Sequence, residues 1–354
     1  MIKVLVVDDS AFMRKMISDL LEKDARIKVI GKARNGNEAV TQIKKLQPDV
    51  VTLDVEMPIL NGLEALKRIM SESPVPVIML SSITKEGTET TIKAMEYGAF
   101  DFVSKPSGSI SLDIYKVQKE LVEKVIYASK VPIAKLQKDV ECRAPSIDEK
   151  QLQQINNNSK NKLTEKGIIA IGTSTGGPKA LQTVLTNLPS DLPYPILIVQ
   201  HMPKGFTKSL SERLDKLSKI KVKEAEDGEI IKKGVAYIAP GGYHLKVRGI
   251  GTSVAVHLDQ SELVKGHRPA VDALFYSLSA LRNVDVMAII LTGMGSDGTK
   301  GLVQLKGNTK TIAIAESKET AIVYGMPRTA VETNLVDEVV KLEDITQTIL
   351  KHCT

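Results

Sequence analysis

The sequence predicts an α/β protein of two units, each a mostly parallel sheet wound with helices, joined by a polar linker. Three observations carry this. Short apolar runs alternate with helical periodicity five times over residues 1–125. That rhythm breaks over residues 126–166 and restarts at Gly167. The length, 354 residues, exceeds what one compact core ordinarily fills.

The elements follow in order. IKVLVV at the N-terminus is a continuous apolar run, the pattern of a parallel strand covered on both faces. Ser10 is placed to cap the next helix, whose Met13, Met16, Ile17, Leu20 and Leu21 share one face. Further strands are expected at 29–33, 50–53, 76–81 and 100–103, with helices at 37–46, 62–71, 86–97 and 112–128. Five such alternations make a doubly wound parallel sheet. Residues 151–166 (QLQQINNNSKNKLTEK) are amide-rich and poor in large apolar side chains, the composition of a linker. After it, strands are expected at 168–172, 195–200, 235–239, 286–291 and 311–315. Pro178 suits the first turn of the helix that presents Leu181, Val184, Leu185 and Leu188. The segments 243–247 and 253–258 flank RGIG and predict an antiparallel hairpin.

Composition bounds the function. With 42% hydrophobic and 25% charged residues, the chain is neither disordered, collagen-like nor a coiled coil. No apolar run reaches the roughly 18–20 residues of a membrane span, and Met1-Ile2-Lys3 leads straight into a strand without a signal-peptide pattern. Cys142 and Cys353 are too few for a disulfide framework or a four-ligand zinc site, so a reducing, cytoplasmic location is expected. A net charge of +6, spread along the chain, does not require nucleic acid. The second half shows no helix-turn-helix or basic recognition helix, which excludes a DNA-binding output. Nothing in the sequence calls for an obligate oligomer, and a monomer is expected.

Two groups of residues carry chemistry. Asp8 and Asp9 follow the first expected strand, Asp54 the third, Ser81 and Ser82 end the fourth, and Lys105-Pro106 follows the fifth. The carboxyl ends of strands in an open parallel sheet converge on one edge. Three carboxylates there call for a hard cation such as Mg²⁺, beside which one carboxylate can attack a phosphoryl group. A hydroxyl and an ammonium, Ser81 and Lys105, suit the phosphoryl oxygens. Any one of these is an ordinary loop residue, but the set at successive strand ends is not. The stretches VLVVDDS, DVVTLDVEMPILNG, VIMLSS and GAFDFVSKP are similar to those of response-regulator receiver domains, which are flavodoxin-like five-stranded folds. That resemblance implies Asp54 as phosphoacceptor and Mg²⁺ held by Asp8, Asp9, Asp54 and the Glu56 carbonyl. It also implies Ser81 as switch hydroxyl, in place of the commoner Thr, with Lys105 beside it and Phe102 as the aromatic switch.

The second group begins at GTSTGG, 172–177, a G-x-S-x-G turn between a strand and a helix that points to Ser174 as a nucleophile. The same turn lacks the lysine spacing of a phosphate loop. Among five histidines, His201 directly follows a strand on the same expected edge, and His267 in GHRPAVDALF is the competitor as base. Asp297 in LTGMGSDG is the candidate orienting acid, in a glycine-rich loop whose amides, such as that of Met294, suit an oxyanion hole. The order Ser, His, Asp is not that of α/β-hydrolases. IGTSTGGPKAL, VQHMPKGFT, YIAPGGYHL, GHRPAVDALF and LTGMGSDGTKG resemble the catalytic domain of chemotaxis protein-glutamate methylesterases, with Ala270 where many relatives carry Ser.

This second resemblance implies a Rossmann-like domain over 167–350 with Ser174, His201 and Asp297 as a triad and the amides of Thr175 and Met294 as oxyanion donors. It implies no cofactor for the esterase. The implied reaction is hydrolysis of glutamate methyl esters on chemoreceptors, and deamidation of glutamine, in adaptation. The phosphodonor implied is the chemotaxis histidine kinase, with the unphosphorylated receiver expected to block the Ser174 cleft. A catalytically inactive receptor-binding module, with the receiver as a phosphate sink, is the alternative.

Overall fold

The computed structural model describes residues 1–105, 111–137 and 163–353, and of residues 111–116 the backbone alone. Pro106, Cys142 and most of the expected linker lie outside these residues. The chain divides into two compact units, Met1–Asp139 and Val140–Thr354.

The first unit runs β1 (Ile2–Val7), α1 (Ala11–Leu21), β2 (Ile27–Ala33), α2 (Gly36–Leu46), β3 (Val50–Asp54), α3 (Gly62–Glu72), β4 (Val77–Ser81), α4 (Lys85–Glu96), β5 (Asp101–Ser104), α5 (Ser111–Ala128) and α6 (Ile133–Gln137). Each strand and helix through α5 lies within two residues of its expected bounds. The sheet is parallel in the order β2-β1-β3-β4-β5. β3 and β4 are buried at every residue, which is why they read as unbroken apolar runs. Ser10, Asn35, Asn61 and Thr84 each accept a backbone N–H three residues on and so fix four helix starts. The order reverses between β1 and β3, so their carboxyl ends open a crevice.

The expected boundary at residue 125 falls short. The last turn of α5 and all of α6 belong to the first unit, because Val125, Ala128 and Leu136 are buried there. Residues 163–166, expected in the linker, pack on the second unit. Leu163 is buried with its amide donating to His352 O at 3.0 Å, and the Thr164 amide donates to Asp285 Oδ2 at 2.9 Å.

The second unit runs β6 (Gly167–Thr173), α7 (Gly177–Leu185), β7 (Ile196–Gln200), α8 (Phe206–Leu217), β8 (Lys221–Glu224), β9 (Val235–Ile238), β10 (His244–Ile250), β11 (Ser253–Asp259), α9 (Val271–Ser279), β12 (Asp285–Ile290), α10 (Thr299–Asn308), β13 (Thr311–Glu316), α11 (Met326–Val331), β14 (Glu338–Val340) and α12 (Ile345–Cys353). Among the described residues a seven-stranded parallel sheet has the order β14-β13-β12-β6-β7-β9-β8. The hairpin β10-β11 forms its own antiparallel sheet, whose Leu245, Val247 and Val256 share a core with Leu274, Phe275 and Leu278 of α9. The edge strands β8 and β14 had no sequence signal, being short, charged and only partly buried, as edges usually are.

Candidate functional site

At the crevice of the first unit, Asp8 and Asp9 leave β1 and Asp54 closes β3. Their carboxylates offer ligand atoms within 4.8 Å of one another, with Asp8 and Asp54 buried and Asp9 exposed. Lys105 Nζ lies 2.9 Å from Asp8 Oδ2 and 2.7 Å from Asp54 Oδ2. One ammonium cannot neutralise three carboxylates, and neither of those buried oxygens takes a well-directed hydrogen bond. Burial pushes the Asp54 carboxyl up from 3.8 to about 6 against the pull of Lys105, with Asp8 adding to the rise. Burial also acts to lower Lys105, but Asp54 and Asp8 outweigh it and hold the ammonium above its ordinary value. An all-oxygen donor set with under-compensated charge fits Mg²⁺. The Glu56 amide donates to Asp54 Oδ1 at 3.2 Å, which draws its backbone to the rim.

Ser81 is fully buried and its hydroxyl faces α4, donating toward Gly87 O (3.2 Å) and accepting from Thr91 Oγ1 (2.7 Å). It is therefore engaged away from Asp54. Phe102 is buried, with Lys124 Nζ 5.3 Å from its ring centroid.

In the second unit three adjacent strand ends converge. Ser174 follows the central β6, His201 follows β7 on one side, and the loop after β12 on the other side carries Asp297. His201 Nε2 is 2.7 Å from Asp297 Oδ2. Asp297 also takes the amides of Val271 (2.6 Å), Asp272 (3.0 Å) and Gly298 (3.0 Å), so it sits at the amino end of α9. Burial works to raise its carboxyl, but His201 and the amides outweigh burial and hold it well below the usual range. His201 Nδ1 is buried and has no hydrogen-bond partner among the described residues. Ser174 Oγ and His201 are thus not hydrogen-bonded, an arrangement common before substrate tightens a site.

The turn around Ser174 is held from both neighbours. The Ser174 amide and Thr173 Oγ1 both donate to Thr292 O, at 3.0 and 2.9 Å, and Thr292 Oγ1 donates to Thr175 O at 2.9 Å. Gln200 Nε2 donates to Ser174 O (3.0 Å) and His201 O (3.2 Å), tying the two backbones together. Gly176 has φ +79, and a Cβ on Gly177 would lie 1.9 Å from Gln200 Oε1. Gly293 abuts Ser174, where an added Cβ would stand 2.8 Å from the serine Cβ. The Met294 amide next to it donates no hydrogen bond among the described residues.

The other histidines separate by their partners. His244 is buried and bonds Glu262 O at 3.0 Å, His352 pairs with Glu338 at 2.6 Å, and His257 lies 3.6 Å from Asp227 at the surface. His267 stacks on the face of His201, ring centroids 3.9 Å apart and planes 8° from parallel. The sequence reading does not single out Gln200, Thr292 or Thr91. Gln200 carried a signal, as the polar last residue of an otherwise apolar run. Thr91 carried one too, since Thr88 and Thr91 fall three apart on a helix face. Thr292 needed the pairing of β6 with β12.

Comparison with known proteins follows the same division. Residues 169–349 match the CheB methylesterase family and residues 4–114 the response regulator receiver domain. A protein of Halalkalibacterium halodurans named protein-glutamate methylesterase/protein-glutamine glutaminase is 57% identical over 99% of this chain and 98% of its own. One of the same name from Bacillus subtilis is 50% identical, again over 99% and 98%. The crystal structure of the Thermotoga maritima CheB methylesterase catalytic domain is 45% identical, with a TM-score of 0.51 over 52% of this chain and 97% of that one.

Proposed function

The chain belongs to the CheB methylesterase family, with a response regulator receiver domain, and we propose that Ser174, His201 and Asp297 are its catalytic residues and Asp54 its phosphoacceptor. The activity is hydrolysis of glutamate methyl esters, and deamidation of glutamine, on chemotaxis receptors in the cytoplasm. The observation that carries the triad is the His201 ring, bonded to Asp297 through Nε2 with its opposite nitrogen buried and open. Asp297 fixes the tautomer that leaves Nδ1 as the base. Ser174 Oγ attacks the ester carbonyl carbon as Nδ1 takes the hydroxyl proton. The resulting oxyanion is met by the amides of Thr175 and Met294. On collapse, the C–O bond to methanol breaks and the imidazolium returns its proton to the departing oxygen. Water then attacks the acyl-serine, giving a proton to Nδ1, and as the C–Oγ bond breaks the imidazolium returns that proton to Ser174 Oγ and the glutamate carboxyl is released. With a glutamine substrate ammonia leaves instead.

In the receiver, Asp8, Asp9, Asp54 and the Glu56 carbonyl would hold Mg²⁺, which offsets the negative charge of an incoming phosphoryl group. An Asp54 oxygen bonds phosphorus as the bond to the donor, a chemotaxis histidine kinase, breaks. Lys105 and a Ser81 hydroxyl released from Gly87 and Thr91 bind the phosphoryl oxygens, and Phe102 moves with them. That change raises the esterase rate. The protein acts as a monomer, without nucleic acid or membrane insertion.

The test is methanol release from methylated receptor membranes by wild type and Asp54→Ala, with and without a small phosphodonor and Mg²⁺. The donor should accelerate the wild type alone. Equal acceleration of both would remove Asp54 from the control.

A further inference from the structure

Asp297 fixes His201 at one edge of its ring, but a single edge contact leaves the ring free to rotate about that bond. A second constraint lies on the face. Val264 and His267 exchange two backbone hydrogen bonds (2.9 and 3.1 Å) across Lys265 and Gly266, whose φ values are +51 and +83. This is a two-residue hairpin turn with both central residues left-handed, a stiff connection that delivers His267 at its end. Lys265 Nζ anchors the turn on Ser296 O (2.7 Å) and Asp272 Oδ2 (2.9 Å). Ser296 precedes Asp297, and the Asp272 amide bonds Asp297. The turn that carries His267 is therefore fastened to the same backbone that holds the His201 partner. Its imidazole lies flat on that of His201 at 3.9 Å and 8°. Ring nitrogens point along the ring plane, so in this stack His267 offers His201 a face and no proton route.

We infer that His267 is a positioning residue: its ring is a plate that sets the plane of His201 and thereby aims Nδ1 at Ser174. The inference rests on the reading of His201 as the base. It assigns the competitor histidine a role that uses its shape and not its basicity. His267 is itself solvent-exposed, so replacing it disturbs no core packing.

The experiment uses the full-length protein, activated with a small phosphodonor and Mg²⁺, and measures kcat and KM for methanol release from methylated receptor membranes. His267→Ala should lower kcat roughly 3- to 10-fold, the scale of a lost ring stack, with KM within about twofold of wild type. His267→Phe, flat but without nitrogens, should restore kcat to within about twofold. A phenylalanine variant as slow as the alanine variant would overturn the inference, because the imidazole nitrogens would then matter. So would an alanine variant as fast as wild type, or one changed in KM alone. His201→Gln is run alongside. If that variant keeps wild-type activity, the base assignment itself has failed, which is a separate result from any outcome at His267.

Discussion

Asp54→Asn removes a buried charge without changing shape, and the structure sets the size of the effect. The Asp54 carboxyl stands at about 6 in the fold against an ordinary 3.8, with burial the largest cause. That difference corresponds to about 3 kcal/mol by which ionisation of Asp54 destabilises the folded receiver at neutral pH. The sign follows from a raised carboxyl: the associated stability is fully present below pH 3.8 and is lost as pH rises through about 6. Asparagine cannot ionise and suffers no such loss, while Lys105 keeps its contact with Asp8. In EDTA at pH 7 the variant's receiver transition should lie about 10 °C above that of wild type by calorimetry. At pH 4 the two should differ by less than about 1 kcal/mol. A variant less stable than wild type at pH 7, or an advantage independent of pH, would mean that burial among carboxylates does not dominate this site.

Adding Mg²⁺ should raise the wild-type receiver transition and leave that of Asp54→Asn nearly unmoved, closing much of the gap in the same calorimeter. Asp297→Asn should lower kcat for methanol release by roughly 10³-fold or more with the circular dichroism unchanged, because the amide no longer holds His201 in the tautomer that leaves Nδ1 open. Gly177→Ala should cost roughly 10- to 100-fold in kcat. Its Cβ would stand 1.9 Å from Gln200 Oε1 and force out the side chain that ties Ser174 to His201. Thr91→Val removes the 2.7 Å hydrogen bond into Ser81 and weakens the resting position by about 1 kcal/mol, so methanol release without any phosphodonor should rise about fivefold.

The sequence was legible where one residue type had one physical reason to be there. The five alternations of the first unit read correctly because β3 and β4 are buried along their whole length and the helix starts carry side-chain caps. The acidic residues were placed together because strand ends converge at a reversal in sheet order, a rule that needs no side-chain detail. The hairpin was legible as a hairpin, but Arg248, Gly249 and Ile250, expected in its turn, extend β10 and pair with Ala255, Val254 and Ser253, and its position against α9 was not legible. The limits lie in tertiary relations. β8 and β14 are defined by a neighbouring strand more than by their own pattern. The end of the first unit depended on where Leu136 packs. Spacing alone could not choose between His201 and His267. Their difference is a 2.7 Å contact with Asp297 for one and a ring stack for the other, both made across loops distant in sequence. Nor did the sequence indicate which ring nitrogen of His201 meets the acid, or that Ser81 is held by Thr91.

Everything proposed for the second unit depends on Ser174 being the nucleophile of a receptor methylesterase. Methanol release from methylated receptor membranes by Ser174→Ala, with phosphodonor and Mg²⁺ present and the wild type alongside, tests it most directly. The variant should release no methanol above the enzyme-free rate while the wild type does. A Ser174→Ala protein that releases methanol as fast as wild type would contradict it and return the cleft to the standing of a binding surface.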